Sequence, residues 1–266
     1  MLSVDSHAHI FEQGLPLAPV RRHAPAYDAK AETYLDILKT NGLDMALLVQ
    51  PSFLGQDNSY ILAAMKQYPG KFRGVCMIPP DIPDKDFRDL HAAGFTGMRL
   101  NLDGLPLPDL GGVEWTRLLR MVREHEWHVE LHRASRDLPV LIRPLLEAGV
   151  KVVIDHFGRP DPALLPHDPV VPWLLSLGVS RRVWMKISGA YRIGNISGGE
   201  AFARRIMPDL LSAYGPDRLL WGSDWPHTQH EDHINFTMML GNFRAWIPDG
   251  TVRDDILRKA PAGLFA

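Results

Sequence analysis

The chain has 266 residues, 45% hydrophobic and 23% charged, the balance of an ordinary soluble enzyme with enough length for one large core. Lys and Arg number 29 against 31 Asp and Glu, a formal charge of −2, which excludes the basic field that a nucleic acid or an anionic membrane would require. Cys76 is the one cysteine, so no internal disulfide forms; no basic-then-apolar leader opens the chain, and no apolar run approaches the ~18 residues of a membrane span. A cytoplasmic protein is expected.

Short β-rich runs recur along the chain at Leu2–Ser6, Met45–Gln50, Arg73–Ile78, Gly97–Leu102, His128–His132, Lys151–His156, Val183–Ser188 and Arg218–Ser223. Segments of helical spacing lie between them, such as Tyr34-Ile37-Leu38, Trp115-Leu118-Leu119-Val122 and Phe202-Ile206-Leu210-Leu211. Met45–Val49 is apolar throughout and Val150–Ile154 nearly so, as expected of strands covered on both faces. Eight strands alternating with helices predict an α/β fold, a (β/α)8 TIM barrel forming a single domain over residues 1–266. A doubly wound open sheet is the competitor, but the chain has neither a Gly-rich dinucleotide loop nor a P-loop. The longer loops Phe11–Ala29 and Gly189–Gly199 follow the first and seventh strands, where barrels place substrate contacts.

The first chemical cluster is Asp5-Ser6-His7-Ala8-His9. Residues two apart on a strand point the same way, so His7 and His9 can converge on one ion, and neutral imidazole suits zinc and similar metals. A water-exposed polar strand end is the plainer reading of such a pair. His132 ends the fifth run; alternation puts His128, Glu130 and His132 on one face, with the last reaching the barrel mouth. His156 ends the sixth run at the same height. Asp224, in Trp221-Gly222-Ser223-Asp224-Trp225-Pro226-His227, ends the eighth, which closure brings beside His7 and His9. That aspartate can ligate a metal, take a proton from water or cap the following loop.

Taken together, these positions resemble the amidohydrolase superfamily: His-x-His on strand one, histidines on strands five and six, aspartate on strand eight. The resemblance extends to its lactonase branch, related to 2-pyrone-4,6-dicarboxylate lactonase. It runs through Val49-Gln50-Pro51-Ser52 with Asp57-Asn58, Gly97-Met98-Arg99-Leu100-Asn101, Ile154-Asp155-His156-Phe157-Gly158-Arg159-Pro160-Asp161 and the Asp224 segment. It implies a hydrolase that opens a lactone, either a pyrone dicarboxylate or a sugar-acid lactone, by water attack with Asp224 as general base and His156 stabilising the oxyanion. It further implies one divalent metal, Zn or Mn, on His7, His9, His132 and Asp224, with metal-independent catalysis as the alternative. Arg99, Arg159, Arg192, Ser52 and His227 are the implied substrate contacts, because a guanidinium grips carboxylate bidentately; Arg159 in Gly-Arg-Pro has loop anchoring as its rival role.

Two departures bear on substrate and metal. The lactonase branch has a tyrosine where this chain has His132, and a second arginine shortly after the strand-four arginine, where this chain reads Leu102-Asp103-Gly104. A metal-dependent decarboxylase of an unsaturated acid is the competing enzyme, and a non-catalytic acid-binding barrel the competing class. Arg21, Arg22 and His23 read as solvated surface, Trp115, Trp127 and Trp173 as core, and Cys76 as a buried thiol. No Gly-x-Ser-x-Gly elbow is present.

Overall fold

Every residue of Met45–Val49, Val4–Ala8, His128–His132 and Val183–Ile187 is buried, so these strands have side chains enclosed on both faces. In the computed structural model, which describes residues 1–265, they belong to one eight-stranded sheet. The strands are β1 (Val4–Ala8), β2 (Met45–Val49), β3 (Phe72–Cys76), β4 (Phe95–Asn101), β5 (His128–His132), β6 (Lys151–Ile154), β7 (Val183–Ile187) and β8 (Leu219–Trp221). Each pairs parallel with the next, in the order β1 to β8. The seam between β8 and β1 is held by His9 N–H to Trp225 O and Asp224 N–H to His7 O, both 2.8 Å. Those two bonds set Asp224 directly beside the His-x-His pair.

Outside the barrel lie α1 (Ala31–Thr40), α2 (Ser59–Gln67), α3 (Asp84–Ala92), α4 (Val113–Glu124), α5 (Leu138–Glu147), α6 (Val170–Ser176), α7 (Ile196–Tyr214) and α8 (Phe236–Trp246). The pattern in α4 shows why they form: Trp115, Leu118, Leu119 and Val122 recur at helical spacing and are all buried against the sheet. Trp127 is buried and Trp173 packs against the same core. A last helix, Ala260–Phe265, seals the amino-terminal end of the barrel, where Ala260 and Leu264 pack on Val153, Trp184 and Leu220. No helix among the described residues is long and apolar enough to cross a membrane.

The strand cores agree with the sequence expectation, and the ends differ for local reasons. β1 runs to Ala8 because Ala8 bridges Trp225 across the seam. β6 stops at Ile154 because His156 adopts φ 50°, outside the range of a strand. The expected loop 189–199 is shorter than read: Asn195 accepts a hydrogen bond from Gly198 N–H and starts α7 at Ile196.

Candidate active site

Period-two alternation sends Arg99 and Asn101 of β4, Glu130 and His132 of β5, Lys186 of β7 and His7 of β1 into the barrel. The lower interior is apolar apart from the buried His128. The middle is charged, where most barrels carry Val, Ile or Leu. Lys186 Nζ lies 2.5 Å from Glu130 Oε2, 3.3 Å from Asp155 Oδ1 and 2.8 Å from His7 Nδ1. Arg99 donates from Nε and Nη2 to Asp155 Oδ2 at 3.2 and 2.9 Å, and its Nε is 3.4 Å from Glu130. Two cations thus balance two carboxylates in a buried core. Burial opposes ionisation of Glu130, but Lys186 and then Arg99 hold its carboxyl below the ordinary value.

Above this lattice stand His7, His9, His132, His156 and Asp224, all buried. Asp224 accepts from Tyr191 Oη at 2.7 Å and Arg192 Nε at 2.5 Å, both on Oδ2. Its Oδ1 is buried without a partner, 3.7 Å from Nε2 of both His7 and His9. Burial alone would raise the Asp224 carboxyl; the Arg192 guanidinium and neighbouring imidazoles hold it well below its ordinary value. His9 Nδ1–H donates to Val49 O at 2.7 Å, and His156 Nδ1 is hydrogen-bonded to Ser188 Oγ at 2.9 Å. Burial pushes both imidazoles down to about 4, so each is neutral at pH 7. Asp224 has φ 61°, His156 φ 50° and Arg159 φ 48°, left-handed values for residues with side chains, at a cost of roughly 1–3 kcal/mol each.

A divalent ion fits part of the set expected from the sequence. Ligand atoms of His7, His9 and Asp224 lie within 4.8 Å of one another, and His7 Nε2 and Asp224 Oδ1 are buried and unpartnered. Two imidazoles and one carboxylate with room beside them make a three-donor site of the open, catalytic kind. His132 stands outside this group. Its Nδ1 meets Asn101 Oδ1 at 3.1 Å, and its Nε2 meets Nη1 of Arg159 at 3.1 Å. A guanidinium only donates, so the Nε2 lone pair of His132 is already engaged.

The cavity above Asp224 has a volume of about 240 Å³ and includes Ser52, Arg99, Arg159 and Arg192 in its wall. His227 is not in that wall; it is buried behind Asp224, its N–H bonded to Asp224 O at 2.8 Å, and His230 takes the facing position. Of the cluster read as solvated surface, Arg21 and Arg22 are exposed, but Arg22 and the half-buried His23 have a further place. Both line the cavity, because the loop after β1 folds over the mouth and Arg22 pairs with Asp103. Cys76 is fully buried and its thiol is pushed up by burial.

Lys186, Glu130, Asp155, Tyr191 and Asp103 were not assigned to the site from the sequence. A lysine inside the otherwise apolar Val183–Ile187 and a glutamate between two histidines in β5 were the available signals. Ionisable residues at interior strand positions demand partners. Nothing local to Tyr191 marks it, whereas Asp103 stands in the stretch where the lactonase branch carries its second arginine.

The amidohydrolase family model matches residues 4–266. The 2-pyrone-4,6-dicarboxylate hydrolase of Comamonas testosteroni is 30% identical over 280 residues, covering 99% of this chain and 90% of that protein. A crystal structure from Pseudomonas putida, provisionally assigned as a 2-pyrone-4,6-dicarboxylic acid hydrolase, is 44% identical with a TM-score of 0.93, covering 99% of this chain and 97% of that one. Another from Acinetobacter baumannii, with a similar provisional assignment and citric acid bound, is 35% identical with a TM-score of 0.95, covering 100% and 99%. The chain belongs to the amidohydrolase family.

Proposed function

We propose that the protein hydrolyses a carboxylated lactone by water attack, with Asp224 as the general base. The observation that carries this reading is the single free oxygen of Asp224. Tyr191 and Arg192 occupy Oδ2, so Oδ1 alone faces the cavity, buried and ionised, under a wall of guanidiniums. The similarity to relatives named as lactone-opening hydrolases agrees with it.

Arg159 and Arg192 attract the substrate's carboxylate to the mouth, and the lactone carbonyl turns toward His156. Asp224 Oδ1 takes a proton from the attacking water as its oxygen bonds to the carbonyl carbon. The neutral His156 ring donates to the developing oxyanion. When the ring C–O bond breaks, the proton on Asp224 passes to the leaving alkoxide or enolate, and the new carboxylic acid ionises. Arg99 supports the cavity from below through Asp155 as well as lining it. A divalent ion, Zn or Mn, held by His7, His9 and Asp224 would acidify the water and polarise the carbonyl. With its lone thiol buried, the chain also suits a reducing, cytoplasmic setting.

A panel of pyrone carboxylates and sugar-acid lactones, read with a pH indicator, tests the activity. Proton release in step with lactone loss is expected. Release of CO2 from an unsaturated acid, with no lactone consumed, would overturn it in favour of decarboxylation.

A further inference from the structure

Asp103 stands at the cavity mouth between two arginines that come from distant parts of the chain. Arg22 reaches it from the loop after β1, and Nη1 of Arg159, from the turn after β6, lies 3.1 Å from its Oδ2. Arg22 also donates to Asn101 Oδ1 at 3.3 Å. The Asp103 side chain is part-exposed and belongs to the cavity wall.

Around the cavity the charges can be counted. Arg22, Arg159 and Arg192 supply three positive charges, and Asp103 and Asp224 supply two negative ones, leaving one positive charge in excess. Arg99 does not change this, because Arg99 and Lys186 are matched below the floor by Glu130 and Asp155. Nor do the lining histidines, since neutral imidazole is the ordinary form at pH 7. Glu231 is exposed and outside the wall, where solvent screens it.

We infer that Asp103 is a built-in counter-anion that determines substrate charge, so that the site accepts a lactone bearing one carboxylate in preference to one bearing two. Asp103 occupies the place between Arg22 and Arg159 that a second substrate carboxylate would take. A dianion would have to displace it or sit beside it, and like charges at that range repel. This rests on the acidic-lactone reading above and narrows it to a charge class. Loss of the Asp103 charge would free both guanidiniums and raise the excess from one positive charge to two, the match for a dianion.

The test is direct binding of two non-hydrolysable rings, benzoate and isophthalate, measured by calorimetry on the wild type and on Asp103→Asn, with Asp103→Ser as a second variant and a thermal melt of each. The wild type should bind isophthalate no more tightly than benzoate. Asp103→Asn should tighten isophthalate by about tenfold or more, a difference near 1.4 kcal/mol, while benzoate moves by less than about threefold. Equal changes for both rings would overturn the inference and make Asp103 a tether for the Arg22 loop. So would a wild type that already prefers isophthalate tenfold. Failure of either ring to bind any of the proteins would sink the acidic-substrate reading itself, a result distinct from equal binding.

Discussion

Lys186 Nζ and His7 Nδ1 lie 2.8 Å apart, both fully buried, though 179 residues separate them in the chain. Lys186 also meets Glu130 and Asp155; its ammonium only donates, so where it holds Nδ1 the ring hydrogen lies on Nε2, facing Asp224, whereas a metal on Nε2 requires the hydrogen on Nδ1. Glu130 and Asp155 lie slightly farther from Nδ1, at 3.4 and 3.5 Å. His7 therefore sits between a donor and two acceptors, and its tautomer follows whichever of them holds Nδ1.

Replacing Lys186 with Met leaves two buried carboxylates facing Arg99 alone. Breaking a buried pair in this way costs about 3–5 kcal/mol. The melting temperature should fall by roughly 6–20 °C, at roughly 2–4 °C per kcal/mol for a chain near this size. Adding Glu130→Gln to the same chain should recover part of the loss. A loss below about 1 kcal/mol in urea unfolding would show that the lattice is not coupled.

Metal content can be measured apart from activity. Elemental analysis should find close to one Zn or Mn per chain, abolished by His9→Ala and retained by His132→Ala, because Arg159 already engages His132. Loss of metal from His132→Ala would return His132 to the ligand set. A protein fully active without metal would remove the ion from the mechanism.

Asp224→Asn keeps the shape and the Tyr191 contact but gives up the basic oxygen. Lactone turnover should fall by ~10² to 10⁴, with the fold intact by circular dichroism. The pH–rate profile should show no acid limb near 4 from Asp224, since its carboxyl is held well below the ordinary range. A variant within a few-fold of wild type would make Asp224 a structural cap.

Stability should fall as pH drops from about 6.5 toward 4. Burial holds His128 and His156 at about 4 in the folded chain, whereas the unfolded chain binds those protons near pH 6.5. In that window the unfolded state takes up more protons, at about 3 kcal/mol per histidine as an order of magnitude. Asp5 works the other way: burial raises it to about 6, so its cost is relieved as pH falls. Together with His9 and His227, also held at about 4, these histidines outweigh the one raised aspartate, a net loss that urea unfolding at pH 7 and pH 4.5 would measure. Equal or greater stability at pH 4.5 would contradict it.

Gly222 permits the close approach of β8 to β1. A Cβ there would lie 2.5 Å from His7 Cβ and 2.9 Å from His7 N, a clash with backbone that no rotamer change relieves. Gly222→Ala should cost about 1–3 kcal/mol and displace His7, reducing activity beyond what the stability loss explains. An active variant with an unchanged melt would mean the seam can shift freely.

Much of the architecture was legible in the chain itself. Apolar runs such as Met45–Val49 exclude a solvated face, and eight β-rich runs alternating with helical spacing leave few alternatives to a parallel barrel. The convergence of His7 and His9 follows from a period of two, and the positions of His132, His156 and Asp224 from their places at strand ends. These are local rules, each acting over a few residues. What closure alone decided is which buried charges meet: Lys186 with His7, Arg99 with Asp155, Arg192 with Asp224, and Arg22 with Arg159 across Asp103. Strand period sets the face a side chain takes but not its neighbour across the barrel, and ion pairing depends on that distance. For the same reason Arg22, a surface residue by its sequence surroundings, became part of the cavity wall only when its loop folded over the mouth.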